Sequence, residues 1–234
     1  MSKMILANIT DVLYANFIKE DRYRWLLDGV KNTLIITAFA VIIGIIIGFL
    51  IAIIRSTHDK TGSFKILNII CRIYLTVIRG TPTMIQLLIM NFIILAPFTS
   101  NKMLVGSLAF GINSGAYVAE IVRSGIMSVD QGQTEAGRSL GLNFPQTMRL
   151  IIMPQAFKNV LPALVNEFIV LLKETSIIGT IGTMDLTKAA TLIQSRTYNA
   201  FVPLISAALI YLVLVMILTY LMNKLERRLR TNER

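Results

Sequence analysis

The chain has 234 residues, of which 54% are hydrophobic and only 15% charged. Soluble domains carry about 25% charged residues, so the composition predicts one membrane-embedded domain without a separate soluble domain of ordinary size. The net charge is +10, and the basic residues lie between apolar runs. This distribution is typical of a membrane protein with positive charge on one side, and it argues against a nucleic-acid-binding face. The single cysteine, Cys71, excludes an intrachain disulfide and a cysteine-based zinc site.

The first 30 residues predict an interfacial segment on the outer membrane surface. They combine mixed charge with apolar positions that fit an amphipathic helix: Val12, Leu13, Phe17, Tyr23, Trp25 and Leu26. A loose tail is the alternative. The segment is too interrupted for a signal peptide, and no small-residue cleavage pattern follows it.

Five apolar segments then predict five transmembrane helices, since about 20 residues cross about 30 Å of hydrocarbon. The segments are Leu34–Ile54, Ile66–Pro97, Met103–Val122, Leu161–Gly182 and Val202–Met222. Arg79-Gly80-Thr81-Pro82 interrupts the second, and Pro82 predicts a kink because proline removes a helical hydrogen bond. The many glycines, serines and alanines of the third predict close helix packing.

Loop charges predict the orientation of these spans. Lysines and arginines cluster after the first, third and fifth spans, whereas the opposite loops carry few. The positive-inside rule therefore predicts an outside N-terminus and a cytoplasmic C-terminus. The expected organisation is an outer segment 1–30, a transmembrane domain 31–228 with a cytoplasmic loop at about 124–158, and a tail 229–234.

The cytoplasmic loop contains a polar stretch, Val129–Pro154, which predicts a short helix pair. Gly141 suits the end of the first helix or a left-handed turn. Pro145 suits the first turn of the second helix, and Pro154 interrupts the run toward the fourth span. An ordinary solvated connector is the alternative, but a long ordered loop is usually functional.

The fourth predicted span carries polar side chains that are costly in lipid and usually face a bundle interior or a water-filled cavity. Glu167 and Glu174 lie seven residues apart and so near one helix face, and Asn166 and Lys173 form an adjacent row. Donors and acceptors together would suit a zwitterionic amino acid. The alternative is that Lys173 and Glu174 neutralise each other or other residues at the bundle interface.

The loop resembles the "EAA" loop of ABC-importer permeases, whose motif reads E-A-A-x3-G-x9-I-x-L-P. Here Glu135, Ala136, Gly141, Ile151 and Pro154 match, while Gly137 replaces the second alanine and Met153 replaces leucine. Both departures are conservative in size, so the docking role is expected to survive, with a looser helix at Gly137.

Other segments in the same order resemble the polar-amino-acid uptake subfamily, and together they cover most of the chain from about Asn32 to Arg228. They are Arg79-Gly80-Thr81-Pro82, the stretch from Asn113 through Tyr117 to Glu120, Gly132-Gln133-x-Glu135, and the stretch from Asn166 to Thr175-Ser176. This subfamily usually has two apolar residues after the RGTP segment, where Thr83 and Met84 stand here.

The resemblance implies an all-α integral membrane protein of the type I ABC-importer permease kind, placed as a multi-pass protein in a bacterial inner or plasma membrane. Its partners would be a second permease copy or a paralogue, two ATP-binding subunits and an extracytoplasmic binding protein. The docking residues implied are Glu135, Ala136, Gly137, Arg138 and Gly141. The pathway candidates are Asn113, Tyr117, Asn166, Glu167, Lys173, Glu174 and Thr175.

The sequence has no G-x4-G-K-[ST] loop, so ATP and Mg²⁺ are expected on the partner subunits and no cofactor or metal in this chain. A lone His58 offers neither a metal cluster nor a catalytic triad, and enzyme activity is not expected. A polar solute such as an opine or a sulfur-containing amino acid is the alternative cargo. A secondary transporter is a further alternative, although no internal inverted repeat supports it.

Overall fold

The computed structural model describes residues 10–231, which form helices and turns with no β-strand in that range. The α-helices are α1 Arg22–Thr61, α2 Lys65–Gly80, α3 Thr83–Ile89, α4 Lys102–Met127, α5 Gln131–Ser139, α6 Phe144–Thr147, α7 Met153–Glu174, α8 Leu186–Thr197 and α9 Phe201–Thr231. Tyr14–Ile18, Met90–Ile94 and Met148–Ile152 are π-helical, whereas Lys19–Asp21 and Thr175–Ile181 are 3₁₀-helical. The all-helical prediction is confirmed for the described residues.

Within residues 10–231, three helical segments are long and apolar enough to cross a membrane: Thr10–Thr61, Lys102–Met127 and Phe201–Arg228. Lys65–Gly80 and Thr83–Ile94 make a fourth if they count as one span, and they are bent by 110° at the break. The predicted kink at Pro82 is thus confirmed as a sharp bend. The predicted span Leu161–Gly182 falls on α7 and the following 3₁₀ turn and is not among these segments, so five spans stay a prediction.

The N-terminal segment is a packed helical turn over its described part, while residues 1–9 lie outside the described residues. Glu20 and Asp21 have positive φ of 59° and 53°, and they turn the chain before α1. Buried Arg22 donates to the Ala15 carbonyl at 2.6 Å, and Phe17 packs on the cluster around α8. The loose-tail alternative does not fit residues 10–21; their position at a membrane surface stays a prediction.

The core is built on α1 and α4, which touch along most of their length through small residues. A Cβ added at Gly44 would lie 3.2 Å from the Ser114 Cβ, and one at Gly48 would lie 2.4 Å from a Val118 methyl. Contact positions increase together along both helices, so α1 and α4 run in the same direction. The predicted close packing of the third span is confirmed, because these glycines let the two backbones approach.

Helix α7 packs antiparallel on α4. A Cβ at Gly125 would clash with Val160 near the start of α7, whereas Ser114 contacts Glu167 further along α7. Pro154 stands in the first turn of α7, directly after the π turn Met148–Ile152. The predicted interruption at Pro154 is therefore a π turn that leads into α7 without a break. The helix tolerates Pro154 because the backbone N–H groups of a first turn have no partner in the helical ladder.

Helix α8 was not predicted from the sequence. Asp185 caps it by accepting from the backbone N–H groups of Thr187 at 3.0 Å and Lys188 at 3.1 Å. Burial raises the pKa of the Asp185 carboxyl, against the effect of these hydrogen bonds. An N-cap residue followed by apolar positions at helical spacing was the available signal; those positions are Leu186, Ala189, Ala190 and Ile193.

Candidate functional site

The polar loop folds into the helix pair that its sequence predicts. Asp130 caps α5 by accepting from the Gly132 N–H at 2.6 Å. Gly141 has a φ of +80° at the turn, as predicted. Asn143 and Gln146 form a capping box that starts α6, with Pro145 in its first turn. The turn between the helices is therefore fixed by local hydrogen bonds and by backbone geometry that glycine adopts without strain.

Gly137 holds the two arms of this pair together. It is the one buried residue of α5, and an added Cβ would lie 2.7 Å from the Thr147 methyl and 3.0 Å from the Ile151 side chain. The sequence-based expectation of a loosened helix at Gly137 is wrong, since α5 continues through it to Ser139. The glycine permits close contact between the arms and so stiffens the pair.

The other predicted docking residues face outward from this stiff pair. Glu135, Ala136, Arg138 and Gly141 are all exposed. Leu140, which the sequence analysis did not single out, lies at the tip with 79% of its surface exposed. The tip therefore exposes one large apolar side chain in the same loop as the exposed charges of Glu135 and Arg138.

The break before α3 is stabilised by Gln86, which was also missed. Its side-chain nitrogen donates to the Ile78 carbonyl at 2.7 Å and to the Thr81 hydroxyl at 2.8 Å. Its side-chain oxygen accepts from Asn113 of α4 at 2.9 Å. Pro82 cannot continue the helical ladder, so this one amide satisfies backbone freed by the break and ties the break to α4.

Glu120 of α4 is the centre of a charge cluster. Its carboxylate pairs with Arg55 of α1 at 3.2 Å, Arg79 of α2 at 3.3 Å and Arg123 of α4 at 3.1 Å. Arg123 also reaches Asp59 at 3.4 Å, and Arg79 lies over the Tyr117 ring at 5.7 Å. This cluster joins α1, α2 and α4. It was not predicted from the sequence, because Arg55 and Glu120 lie 65 positions apart.

A cavity of about 460 Å³ brings two predicted pathway residues together, Tyr117 and Glu167. The Glu167 carboxylate accepts from the Ser114 hydroxyl at 2.9 Å. The other polar residues that line the cavity are Arg79, Glu120, Ser124, Ser128 and Asn159. The cavity thus offers carboxylates, a guanidinium and hydroxyls, which are the groups that could contact a zwitterionic solute.

The remaining pathway candidates lie away from this cavity. Asn113 is buried against Gln86, and Thr175 is buried with its hydroxyl donating to the Leu172 carbonyl at 2.8 Å. The other three are Asn166 and Lys173, both exposed, and half-buried Glu174.

No ion pair joins Lys173 to Glu174 within the part of the chain that the structure describes. Direct pairing of these two residues is therefore not observed, and neutralisation by other residues at the bundle interface stays the alternative.

The sequence matches the family described as "Binding-protein-dependent transport system inner membrane component" over residues 40–231. The chain belongs to this family. The arginine transport system permease protein ArtQ of Bacillus subtilis (strain 168) is 40% identical over 89% of this chain and 94% of its own. The glutamine transport system permease protein GlnP of Escherichia coli (strain K12) is 33% identical over 88% and 93%.

Solved structures agree with the family. An amino acid ABC transporter crystallised with histidines matches with a TM-score of 0.81 and 43% identity, covering 91% of this chain and 98% of that one. The MetNI methionine ABC transporter in an inward-facing conformation matches at 19% identity with a TM-score of 0.76, covering 88% and 97%. At that identity the second match concerns the fold alone. As a member of the family of inner membrane transport components, the chain has the helix pair 131–152 and the cavity at Glu167 as its candidate sites.

Proposed function

We propose that this chain is the membrane-spanning permease subunit of an ATP-driven importer for a polar amino acid. The observation that carries the proposal is the stiff, outward-facing helix pair of α5 and α6 within a chain of this transport family. Relatives named for arginine and glutamine transport support an amino acid as cargo. An opine or a sulfur-containing amino acid is the alternative within the same class.

The proposed topology has five spans with an outside N-terminus and a cytoplasmic C-terminus. The fourth of these spans in chain order is α7 with its 3₁₀ extension, which packs antiparallel on α4 and therefore returns across the same layer. Residues 1–30 form the outer segment, 31–228 the transmembrane domain and 229–234 the tail. The basic ends of α1, α4 and α9 then lie on the cytoplasmic side together with the helix pair.

In the proposed assembly, two permease subunits (two copies or a copy and a paralogue) surround the pathway. Two partner subunits bind ATP and Mg²⁺, and an extracytoplasmic protein delivers the amino acid. Each ATPase subunit receives one helix pair at exposed Glu135, Ala136, Arg138 and Gly141, with Leu140 as an apolar contact, while buried Gly137 acts within the pair. Motion of the ATPase dimer reaches the spans through the pair because Gly137 holds its arms in contact.

The proposed pathway runs by the cavity that contains Tyr117 and Glu167. Asn166, Lys173 and Glu174 follow along α7, while Asn113 and Thr175 are buried among the helices. The Glu167 carboxylate suits the ammonium of an amino acid, and Arg79 suits its carboxylate.

Copurification of the chain with an ATPase subunit tests the docking proposal. Solute-stimulated ATP hydrolysis is then measured with the complex in lipid. We expect Glu135→Lys to reduce retention of the ATPase and to uncouple hydrolysis from uptake. Asp28→Lys is the matched control, since Asp28 is also an exposed acid but lies beside Gly29, which contacts Asp185 at the other end of the bundle. Full retention and full uptake in Glu135→Lys would contradict the docking role, and uptake without any ATPase would favour a secondary transporter.

A further inference from the structure

A second cavity, of about 450 Å³, opens on the other side of the Glu120 cluster. Three helices line it. Helix α1 contributes Arg55 and α4 contributes Glu120, while α2 contributes Arg72, Thr76 and Arg79. Three guanidinium groups thus meet one carboxylate in this cavity. The excess positive charge lies in a partly buried place, where a counter-ion is worth more than in open water.

The arginines have hydrogen-bonding capacity that the protein leaves unused. Glu120 is already shared by Arg55, Arg79 and Arg123. The Arg55 Nε is buried and finds no acceptor within residues 10–231, and Arg72 forms no ion pair there. An anion with several oxygens would satisfy these donors, because guanidinium groups bind phosphate and carboxylate through paired hydrogen bonds.

The surroundings of the cavity favour a lipid as the source of this anion. Arg55 directly follows the apolar run that ends at Ile54, so it stands at the boundary of the hydrocarbon layer. Next to the arginine row, α2 exposes an apolar row of Ile69, Ile73 and Val77, with 49%, 59% and 52% of their surfaces accessible. A phosphate held by Arg72 would place acyl chains along that row, as in basic pockets between transmembrane helices that bind anionic head groups.

We propose that this cavity is a binding site for the head-group phosphate of an anionic phospholipid, held by Arg55 and Arg72. The site shares Arg79 and Glu120 with the Glu167 cavity, but Arg55 and Arg72 line this cavity alone, and it lies apart from the ATPase-docking helix pair. It does not depend on which solute is transported, and it would link lipid composition to the helix break at Gly80–Pro82, because Arg79 directly precedes that break.

The test titrates the purified transporter with phosphatidylglycerol or phosphatidylcholine and counts bound lipids by native mass spectrometry at one fixed ionic strength. Arg72→Gln should weaken phosphatidylglycerol binding about fivefold, the expected contribution of one cation near an anionic head group. Lys65→Gln is the matched control, since Lys65 is an exposed cation on the same helix but outside the cavity lining. Arg72→Lys should recover only part of the affinity because lysine lacks the paired donors.

Equal effects of Arg72→Gln and Lys65→Gln would overturn the proposal, as would equal binding of the two lipids by the unaltered protein. Displacement of phosphatidylglycerol by millimolar inorganic phosphate would assign the cavity to a free anion and overturn the lipid source. Absence of any retained phosphatidylglycerol would likewise overturn the proposal. Arg72 is exposed, so an unchanged melting temperature of Arg72→Gln will confirm that the variant is folded.

Discussion

Glu120→Gln provides a quantitative test of the charge cluster. The substitution keeps the shape of the side chain and removes the charge that three arginines share. The side chain of Arg55 is 13% exposed, whereas that of Arg79 is 44% exposed. Leaving a largely buried guanidinium without its partner costs about 3 kcal/mol, while an exposed pair contributes about 0.5 kcal/mol. The cost should therefore come mainly from Arg55.

The measurement is thermal unfolding in detergent, followed through the fluorescence of Trp25, the only tryptophan. A loss of about 3 kcal/mol in a chain of this size should lower the apparent Tm by about 6 to 12 °C at a fixed scan rate. Asp28→Asn removes an exposed carboxylate as a control and should change stability by less than about 0.5 kcal/mol.

A double-mutant cycle assigns the loss to a particular arginine. Glu120→Gln combined with Arg55→Gln should cost less than the sum of the two single changes, with a coupling energy of about 2 kcal/mol. The same cycle with Arg79→Gln should give less than about 0.5 kcal/mol. Equal coupling to both arginines, or a Tm loss no larger than that of Asp28→Asn, would refute the reasoning from burial.

Three further predictions concern the coupling pair, the helix break and the pathway. Gly137→Leu should separate α5 from Thr147, lower stability by about 1 to 3 kcal/mol and weaken ATPase retention; a stable variant with full retention would contradict the packing role. Gln86→Leu should cost about 1 to 3 kcal/mol because it leaves the Ile78 carbonyl and the Asn113 amide without their partner, and hydrogen exchange should rise around residues 78–86; unchanged exchange would be the negative result. Glu167→Gln should raise the KM for uptake more than Glu174→Gln, because only Glu167 lines the cavity with Tyr117; if alanine at both sites leaves the substrate dependence of uptake unchanged, both residues have a structural role.

Features set by neighbouring residues were predictable from the sequence. Pro82 and Gly141 act through their own backbone geometry, so the bend and the turn followed from residue type. Gly137 was misjudged because its role depends on Thr147, which only the folded helix pair brings near. The same holds for Gln86, whose amide spans the break and reaches Asn113 on another helix.

The charge cluster shows why part of the site escapes sequence analysis. Arg55 could be read only as a positive-inside residue, and Glu120 only as one member of a motif. Their pairing depends on the parallel register of α1 and α4, which the glycine contacts at Gly44 and Gly48 fix. Such a register is a tertiary property, so a single sequence without its contacts does not reveal it.

The bend at Gly80–Pro82 has a consequence for how the chain enters the membrane during synthesis. Beyond the bend, Thr83–Ile94 rises only about 18 Å at 1.5 Å per residue, against about 30 Å of hydrocarbon. The backbone groups freed at the bend depend on Gln86, and Gln86 is held in turn by Asn113, which is translated 27 residues later. We therefore expect the second predicted span to gain stability in the membrane once α4 has been made, and the two to leave the insertion machinery together.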